Sequence, residues 1–264
     1  MIDIVVPVLN RSQNVQPLVD SIHANTTVEH YIVFVCSPND DDEIAAVRAS
    51  GCDYMIVSWE PGPADSAKKW NRGFTYTEAP YVLLAADDLE FTPGWDVEAL
   101  KVAERTGAGV IGTQDTMNPM VKHGRHSTHP LVRRSYIDTF GGTFDQTPGV
   151  VYCELYDHQA VDNELVQVAR DRGEWAFANN SVVIHHHPIY DKTVKTDSTY
   201  AKALAEGSAD SRLFKQRRKE WSASRRCATT LTSCGSSLSV LAPMDAVEIA
   251  VTVIVLARLS TLSS

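Results

Sequence analysis

The sequence predicts an α/β fold, a central, mostly parallel sheet flanked by helices, on three observations. Apolar runs alternate with amphipathic stretches three times within about sixty residues, the pattern of βαβ units with right-handed crossovers. The stretch Tyr81–Trp95, YVLLAADDLEFTPGW, sets a short apolar run ahead of Asp87, Asp88 and Glu90, as a strand covered on both faces and ending at a ligand edge. The chain's 264 residues, 44 % of them hydrophobic, suffice for one sizeable core, or one core with an extension.

Taken in order, Ile2–Leu9 is the first strand. Ser12 caps a helix to about Ala24, with Val15, Leu18, Val19 and Ile22 on one face. Tyr31–Cys36 is a strand closed by the turn signal Ser37-Pro38-Asn39-Asp40. Asp41–Ser50 is a short helix whose first-turn acids suit the helix dipole, and Asp53–Trp59 is a third strand. After Pro61-Gly62-Pro63, a helix from about Ala64 to Thr75 carries Lys68, Lys69 and Asn71. Beyond the acidic strand end come a helix from about Trp95 to Arg105 and a strand at Gly107–Gly112. Met117–His129 has no period and reads as a loop over a crevice. Pro130–Val132 is a short strand, and Arg133–Phe140 a helix stopped by Gly141-Gly142. Asp162–Arg172 is a helix, and Trp175–Ile184 a strand running into His185-His186-His187-Pro188. Lys192 to about Trp221 is helical in parts, and a boundary is expected near 222, dividing residues 1–222 from an extension, 223–264.

A net charge of −9 argues against a general nucleic-acid binder. The spacing of the five cysteines matches neither a zinc ribbon nor a CxxC redox pair, which points to a reduced, cytoplasmic protein. The opening apolar run lacks the basic flank and cleavage site of a signal peptide. The apolar segment Ala246–Leu259 is too short for an ordinary membrane span, leaving peripheral membrane or oligomer contact open to it.

Three carboxylates at a strand end suit a divalent cation and a phosphorylated substrate; a solvated acidic turn is the plain alternative. Asp88 is the preferred ligand, with Asp87 available to metal, ribose or water, and Glu90 pointing either like Asp88 or outward. Strand alternation sends His185 and His187 to one side and His186 to the other. Asp162 and Glu164 begin a helix, where capping alone accounts for them; one of them placed beside a hydroxyl would also serve as a general base. Lys68 suits a phosphate, or simply covers the sheet.

These residues resemble the nucleotide-sugar glycosyltransferases of the GT-A (Rossmann-like) fold, particularly family 2. The resemblance runs over about residues 1–190: VVPVLNR at Val5–Arg11, PGPADSAKKWNRGF, the strand bearing a DxD-type motif, RRSYIDTFGGTFD, VDNELVQVARDRG and HHHP. It implies a metal-dependent, inverting and non-processive transfer of sugar from a nucleoside diphosphate sugar, with a UDP-sugar favoured, to an acceptor hydroxyl. The implied site comprises Asp162 as catalytic base, and Asp88 and His187, with His185 next, as ligands of Mn²⁺ or Mg²⁺. Pro7, Asn10, Arg11, Ser37, Asp40, Lys68, Asn71 and Asp87 line the donor. The acceptor is left open among carbohydrate, protein, lipid-linked and modified-base molecules. Ser37 and Ala86 stand where family members commonly carry acids, so a nucleotidyltransferase acting on a sugar phosphate and a non-catalytic carbohydrate-binding or assembly protein remain as alternatives.

Overall fold

The structure, a computed structural model, describes residues 1–196 and 198–234, side chains at 198–199, 202–206 and 226–234 excepted. The chain divides into two units, Met1–Lys219 and Glu220–Ser264. In the first unit the elements follow as β1 (Ile2–Pro7), α1 (Ser12–Asn25), β2 (His30–Cys36), α2 (Asp41–Ser50), β3 (Asp53–Ile56), α3 (Asp65–Tyr76), β4 (Tyr81–Leu84) and β5 (Leu89–Phe91). Then come α4 (Trp95–Thr106), β6 (Val110–Gln114), α5 (Pro119–Lys122), β7 (Leu131–Arg133), α6 (Arg134–Phe140), α7 (Val161–Arg172) and β8 (Trp175–His185). The final described helix, α8 (Ser198–Cys234), starts in the first unit and continues into the second. Ala246–Leu259, with the membrane or oligomer contact considered for it, lies outside the described residues. Among the described residues no helix is long and apolar enough to cross a membrane.

The strands form one eight-stranded sheet in the order β3-β2-β1-β4-β7-β6-β8-β5. β1 pairs in parallel with β2 and β4, β2 with β3, and β6 with β8. Only β7 and β5 run the other way: β7 lies antiparallel between β4 and β6, and β5 antiparallel on β8. The mostly parallel sheet therefore holds, with the short Leu131–Arg133 strand as its reversal.

Both faces of the sheet's centre are covered, which is why β1, β2 and β4 are mostly apolar rather than alternating. Along β1, Ile2, Ile4 and Val6 enter one buried cluster with α1, α2 and α4, while Val5 enters the other with α3, α6 and α7. Gly73 lets α3 lie against β1: a Cβ there would stand 2.3 Å from Val5 Cγ1. Trp95, which opens α4, is fully buried and bonds Thr26 Oγ1 through its indole nitrogen at 3.0 Å.

Several segments differ from what the sequence predicts: Leu89–Phe91 forms a strand, β5, where no separate strand is expected, and β3 ends at Ile56 rather than Trp59. β6 begins at Val110, later than Gly107, because Gly107 takes a left-handed conformation (φ 66°) that closes α4. The loop over Met117–His129 contains a single helical turn, α5, capped by Asn118 accepting from Met120 N–H at 3.0 Å.

Candidate active site

The carboxyl ends of the parallel strands β1, β4, β6 and β8 share one edge, and a cleft of about 860 Å³ opens there. Ala85 N–H still donates to Val5 O at 3.0 Å, so Asp87 and Asp88 are the residues that emerge beyond β4. The chain then reverses into β5, which pairs with β8 in the register Leu89↔His185. His186 N–H donates to Asp88 O at 3.0 Å, and this backbone bond lays the triple histidine against the acids.

His185 Nε2 lies 3.2 Å from Asp88 Oδ1, and Arg11 Nη1 lies 3.2 Å from Asp87 Oδ1 and 3.4 Å from Asp88 Oδ2. Tyr200, on α8, donates its hydroxyl to Asp88 Oδ2 and lays its ring over the Arg11 guanidinium, 3.9 Å from carbon to centroid. Burial raises the cost of charge on both acids. For Asp88, His185, Tyr200 and Arg11 overcome that cost and hold the carboxyl well below the usual range. Asp87 goes the other way, pushed up by burial and by the charge on Asp88. His185 is raised because Asp88 outweighs its burial, whereas burial and the His185 charge push His187 down to about 4. His187 packs edge-on against His185 at 5.2 Å and against Tyr200 at 4.8 Å between centroids. His185 and His187 both line the cleft. His186 turns away, 2.8 Å from Glu90 Oε2 and 3.1 Å from Asp191 Oδ2, and Glu90 points outward with it.

A divalent ion fits these donors. Asp88 Oδ1 is buried, and its one polar neighbour among the described contacts is His185 Nε2, itself a candidate ligand. Its 3.2 Å separation from His185 Nε2 matches neighbouring ligands around an ion with bonds of about 2.1 Å. The other acid–thiol cluster among the described residues, Asp145, Cys153 and Glu164, does not suit a metal. Arg217 already fills it, 2.7 Å from Asp145 and 2.8 Å from Glu164, and burial keeps the Cys153 thiol protonated, its pKa raised to about 11.

The β1–α1 loop presents Arg11. Asn10 sits at φ 56° with its N–H on Asp40 Oδ2 at 2.8 Å, and Arg11 N–H donates to Glu43 Oε2 at 2.7 Å. Pro7, Asn10, Arg11, Asp87 and Asp88 line the cleft together. Of the two lysines on α3, Lys69 is the one at the cleft; Lys68 reaches back to Pro63 O at 3.1 Å. Lys69 spends its three protons on Val8 O, Ser37 Oγ and Asp65 Oδ2, at 2.8, 2.6 and 2.8 Å. Ser37 lies fully buried beneath it. Asn71 accepts from Val151 and Tyr152 N–H and donates to Tyr152 O and Glu154 Oε1, fixing that segment so that Tyr152 reaches the cleft wall.

α7 supplies the far wall. Ala160 enters it at φ 69°, turning Asp162 toward the cleft. Asp162 Oδ2 lies 2.9 Å from His126 Nε2, and Oδ1 accepts from Asn163 N–H at 2.8 Å. Burial opposes its charge, yet His126 holds the carboxyl below its ordinary value. Glu164 faces the interior, accepting from Phe144 N–H at 2.8 Å, from the Tyr156 hydroxyl at 2.5 Å and from Arg217. His126 and Tyr200 are not among the site residues the sequence suggests, because each reaches the site through tertiary contact rather than a local motif; Lys69 lies in the expected α3 segment, where Lys68 is the lysine expected at the donor.

The family model described as glycosyl transferase family 2 matches residues 3–167. No curated protein sequence matches the chain. Among solved structures, a mannosyltransferase from Pyrobaculum calidifontis in complex with GDP-mannose and Mn²⁺ is similar at a TM-score of 0.59 and 14 % identity, over 98 % of this chain and 80 % of that one. Glucosyl-3-phosphoglycerate synthase from Mycobacterium tuberculosis with Mg²⁺ and UDP gives 0.57 and 17 %, over 84 % and 79 %. The same synthase with Mn²⁺, UDP-glucose and glycerol 3-phosphate gives 0.55 and 18 %, over 84 % and 79 %. At these identities the likeness is one of fold, and that fold is GT-A.

Proposed function

The chain belongs to glycosyltransferase family 2 and is therefore an enzyme of sugar transfer, and from that premise we propose how its cleft works. A nucleoside diphosphate sugar lies along the strand edge, and an acceptor hydroxyl attacks its anomeric carbon from the α7 side. The observation that carries this reading is convergence: Asp88 with His185, and Asp162 with His126, face one cleft although they come from four separate segments.

Asp88 and His185, with His187 beside them, would hold Mn²⁺ or Mg²⁺. A bound ion neutralises charge developing on the leaving diphosphate. Arg11 adds a fixed cation at the same edge, kept in place by Asp87 and by the Tyr200 ring. Asp162 takes the hydroxyl proton as the oxygen attacks, in a single displacement that inverts the anomeric centre. His126 orients the carboxylate from one side and the Asn163 N–H from the other. The structural relatives hold UDP-glucose or GDP-mannose, which supports a nucleoside diphosphate hexose as donor. Ser37 is buried under Lys69, so the base is read by residues other than a strand-end acid, and the favoured UDP-sugar is one arm of a donor panel. Residues 1–222 form the catalytic body, with 223–264 as an extension. The unpaired thiols of Cys36, Cys52 and Cys153 accord with a reducing, cytoplasmic setting.

The test is calorimetric titration of UDP and GDP with and without Mn²⁺. Asp88→Ala is expected to lose the Mn²⁺-dependent part of binding, by about a hundredfold or more. Equal binding by the variant and the parent protein would remove Asp88 from the site. Product analysis then separates transferred sugar from pyrophosphate release.

A further inference from the structure

Beyond His126, the loop and α7 are joined a second time. Arg170 Nη1 donates to the carbonyl of Arg125, the residue next to His126, at 2.9 Å. Asp162, Val166 and Arg170 are spaced by four on α7, and all three line the cleft. The cleft wall therefore carries an acid–imidazole pair and, beside it, a pair of arginines.

These arginines differ from the others around the site. Arg11 is matched to Asp87 and Asp88, and Arg217 to Asp145 and Glu164. Among the described residues, Arg125 and Arg170 have no carboxylate partner, and their one bond is the backbone contact between them. In a chain of net charge −9, two neighbouring arginines without a carboxylate partner on a cleft wall make a local excess of positive charge. Arg170 commits one N–H to Arg125 O; both residues line the cleft and are exposed, so the rest of each fork is accessible to a ligand. Planar two-pronged donation of that kind matches a phosphate or a carboxylate.

We infer that the acceptor is an anionic hydroxyl compound, whose phosphate or carboxylate docks on Arg125 and Arg170 while its hydroxyl meets Asp162. Arg125 and His126 are consecutive, so both ends fit within one small molecule such as a sugar phosphate, a uronate or a phosphorylated polyol. This rests on Asp162 being the base that faces the acceptor. The unmatched charge then has a purpose: the protein leaves two cations for the substrate to bind, a contact that an uncharged acceptor does not make.

The test uses saturation-transfer NMR on the full chain with Mg²⁺ and UDP or GDP. The probes are hexose 6-phosphate, hexuronate and hexose, and in parallel glycerol 3-phosphate, glycerate and glycerol. At least one anionic member is expected to bind where its uncharged counterpart does not, and to weaken about tenfold or more in Arg125→Gln and in Arg170→Gln. Nucleoside diphosphate binding should be unchanged in both variants, which alter exposed side chains and so keep the fold. Binding by the phosphates alone, or by the carboxylates alone, identifies the group recognised. Uncharged members binding as well as charged ones, anions indifferent to both substitutions, or no probe binding while the nucleoside diphosphate does, would each overturn the inference. Failure of the parent protein to bind any nucleoside diphosphate would instead sink the donor reading.

Discussion

Asp162 and Glu164 stand two residues apart on α7, and they lead opposite lives. Asp162 lines the cleft, pairs with His126 and keeps partial access to solvent. Glu164 is buried to 1 % exposure and is saturated by Phe144, Tyr156 and Arg217. About 200° of helical rotation separates them, which suffices to send one acid to chemistry and the other to structure. The same contrast recurs across the cleft. On the strand-edge side the charges are balanced internally, Arg11 by Asp87 and Asp88, and Lys69 by Asp65. On the α7 side Arg125 and Arg170 are not. Pairing fixes the strand-edge groups in place before the donor arrives; the α7 side leaves two cations without a carboxylate partner among the described residues.

The strongest way to break the contrast is at the two acids. Asp162→Asn keeps size and an oxygen for the Asn163 N–H but removes the base, and turnover is expected to fall about a thousandfold, within the usual range for general base catalysis. Donor binding, measured by calorimetry, should hold. Unchanged turnover would remove Asp162 from catalysis. Glu164→Gln should do the reverse. It removes one of the two carboxylates that hold Arg217, leaving Asp145, a loss of about 1–3 kcal/mol of stability, read by urea unfolding, while the protein that remains folded turns over normally.

A smaller effect sharpens the choice between the histidines. In the metal-free site Asp88 keeps His185 protonated to higher pH than an ordinary imidazole, although burial opposes this. Bound metal must displace that proton, so Mn²⁺ affinity should rise by about tenfold per pH unit below the His185 pKa and level off above it. His187, pushed down to about 4, is already neutral across that range and contributes no such slope. Titration by electron paramagnetic resonance should show the slope reduced in His185→Asn and kept in His187→Asn. The opposite pattern would make His187 the principal imidazole ligand.

The strand-edge half of the cleft was legible because its signals are local. An apolar run that stops in acids, a turn after the first strand and a histidine cluster at a strand end each declare themselves within a few residues. Even there, Lys68 was the expected lysine and Lys69 is the one at the cleft, because one position on a helix turns a side chain by about 100°. The rest depends on tertiary closure. His126 lies in a stretch without period, and only its packing beside α7 joins it to Asp162, 36 residues on. Tyr200 and Asp88 are 112 residues apart and meet only because α8 returns to the edge. The reversal of β7 was hidden for a related reason: three residues carry too little pattern to declare strand direction.

The smallest expected effect tests whether the site is positioned at the cost of strain. Two of the helices that face the cleft, α3 and α7, are each entered from an alanine in the left-handed region, Ala64 at φ 60° and Ala160 at φ 69°. Left-handed backbone costs a residue with a Cβ about 1–2 kcal/mol, which glycine avoids. Glycine also gives the unfolded chain more freedom, so Ala64→Gly and Ala160→Gly should each change stability by less than about 1 kcal/mol, in the stabilising direction. Their kinetic effects should differ. Ala64 is also held by its own N–H on Asp157 O at 2.9 Å, so loosening its conformation changes little. Ala160 lies two residues before Asp162, and freeing it widens the range of carboxylate positions, lowering turnover several-fold without changing donor binding. Equal kinetics in the two variants would show that the His126 bond alone fixes Asp162, and that the left-handed entry to α7 serves the path of the chain rather than the base.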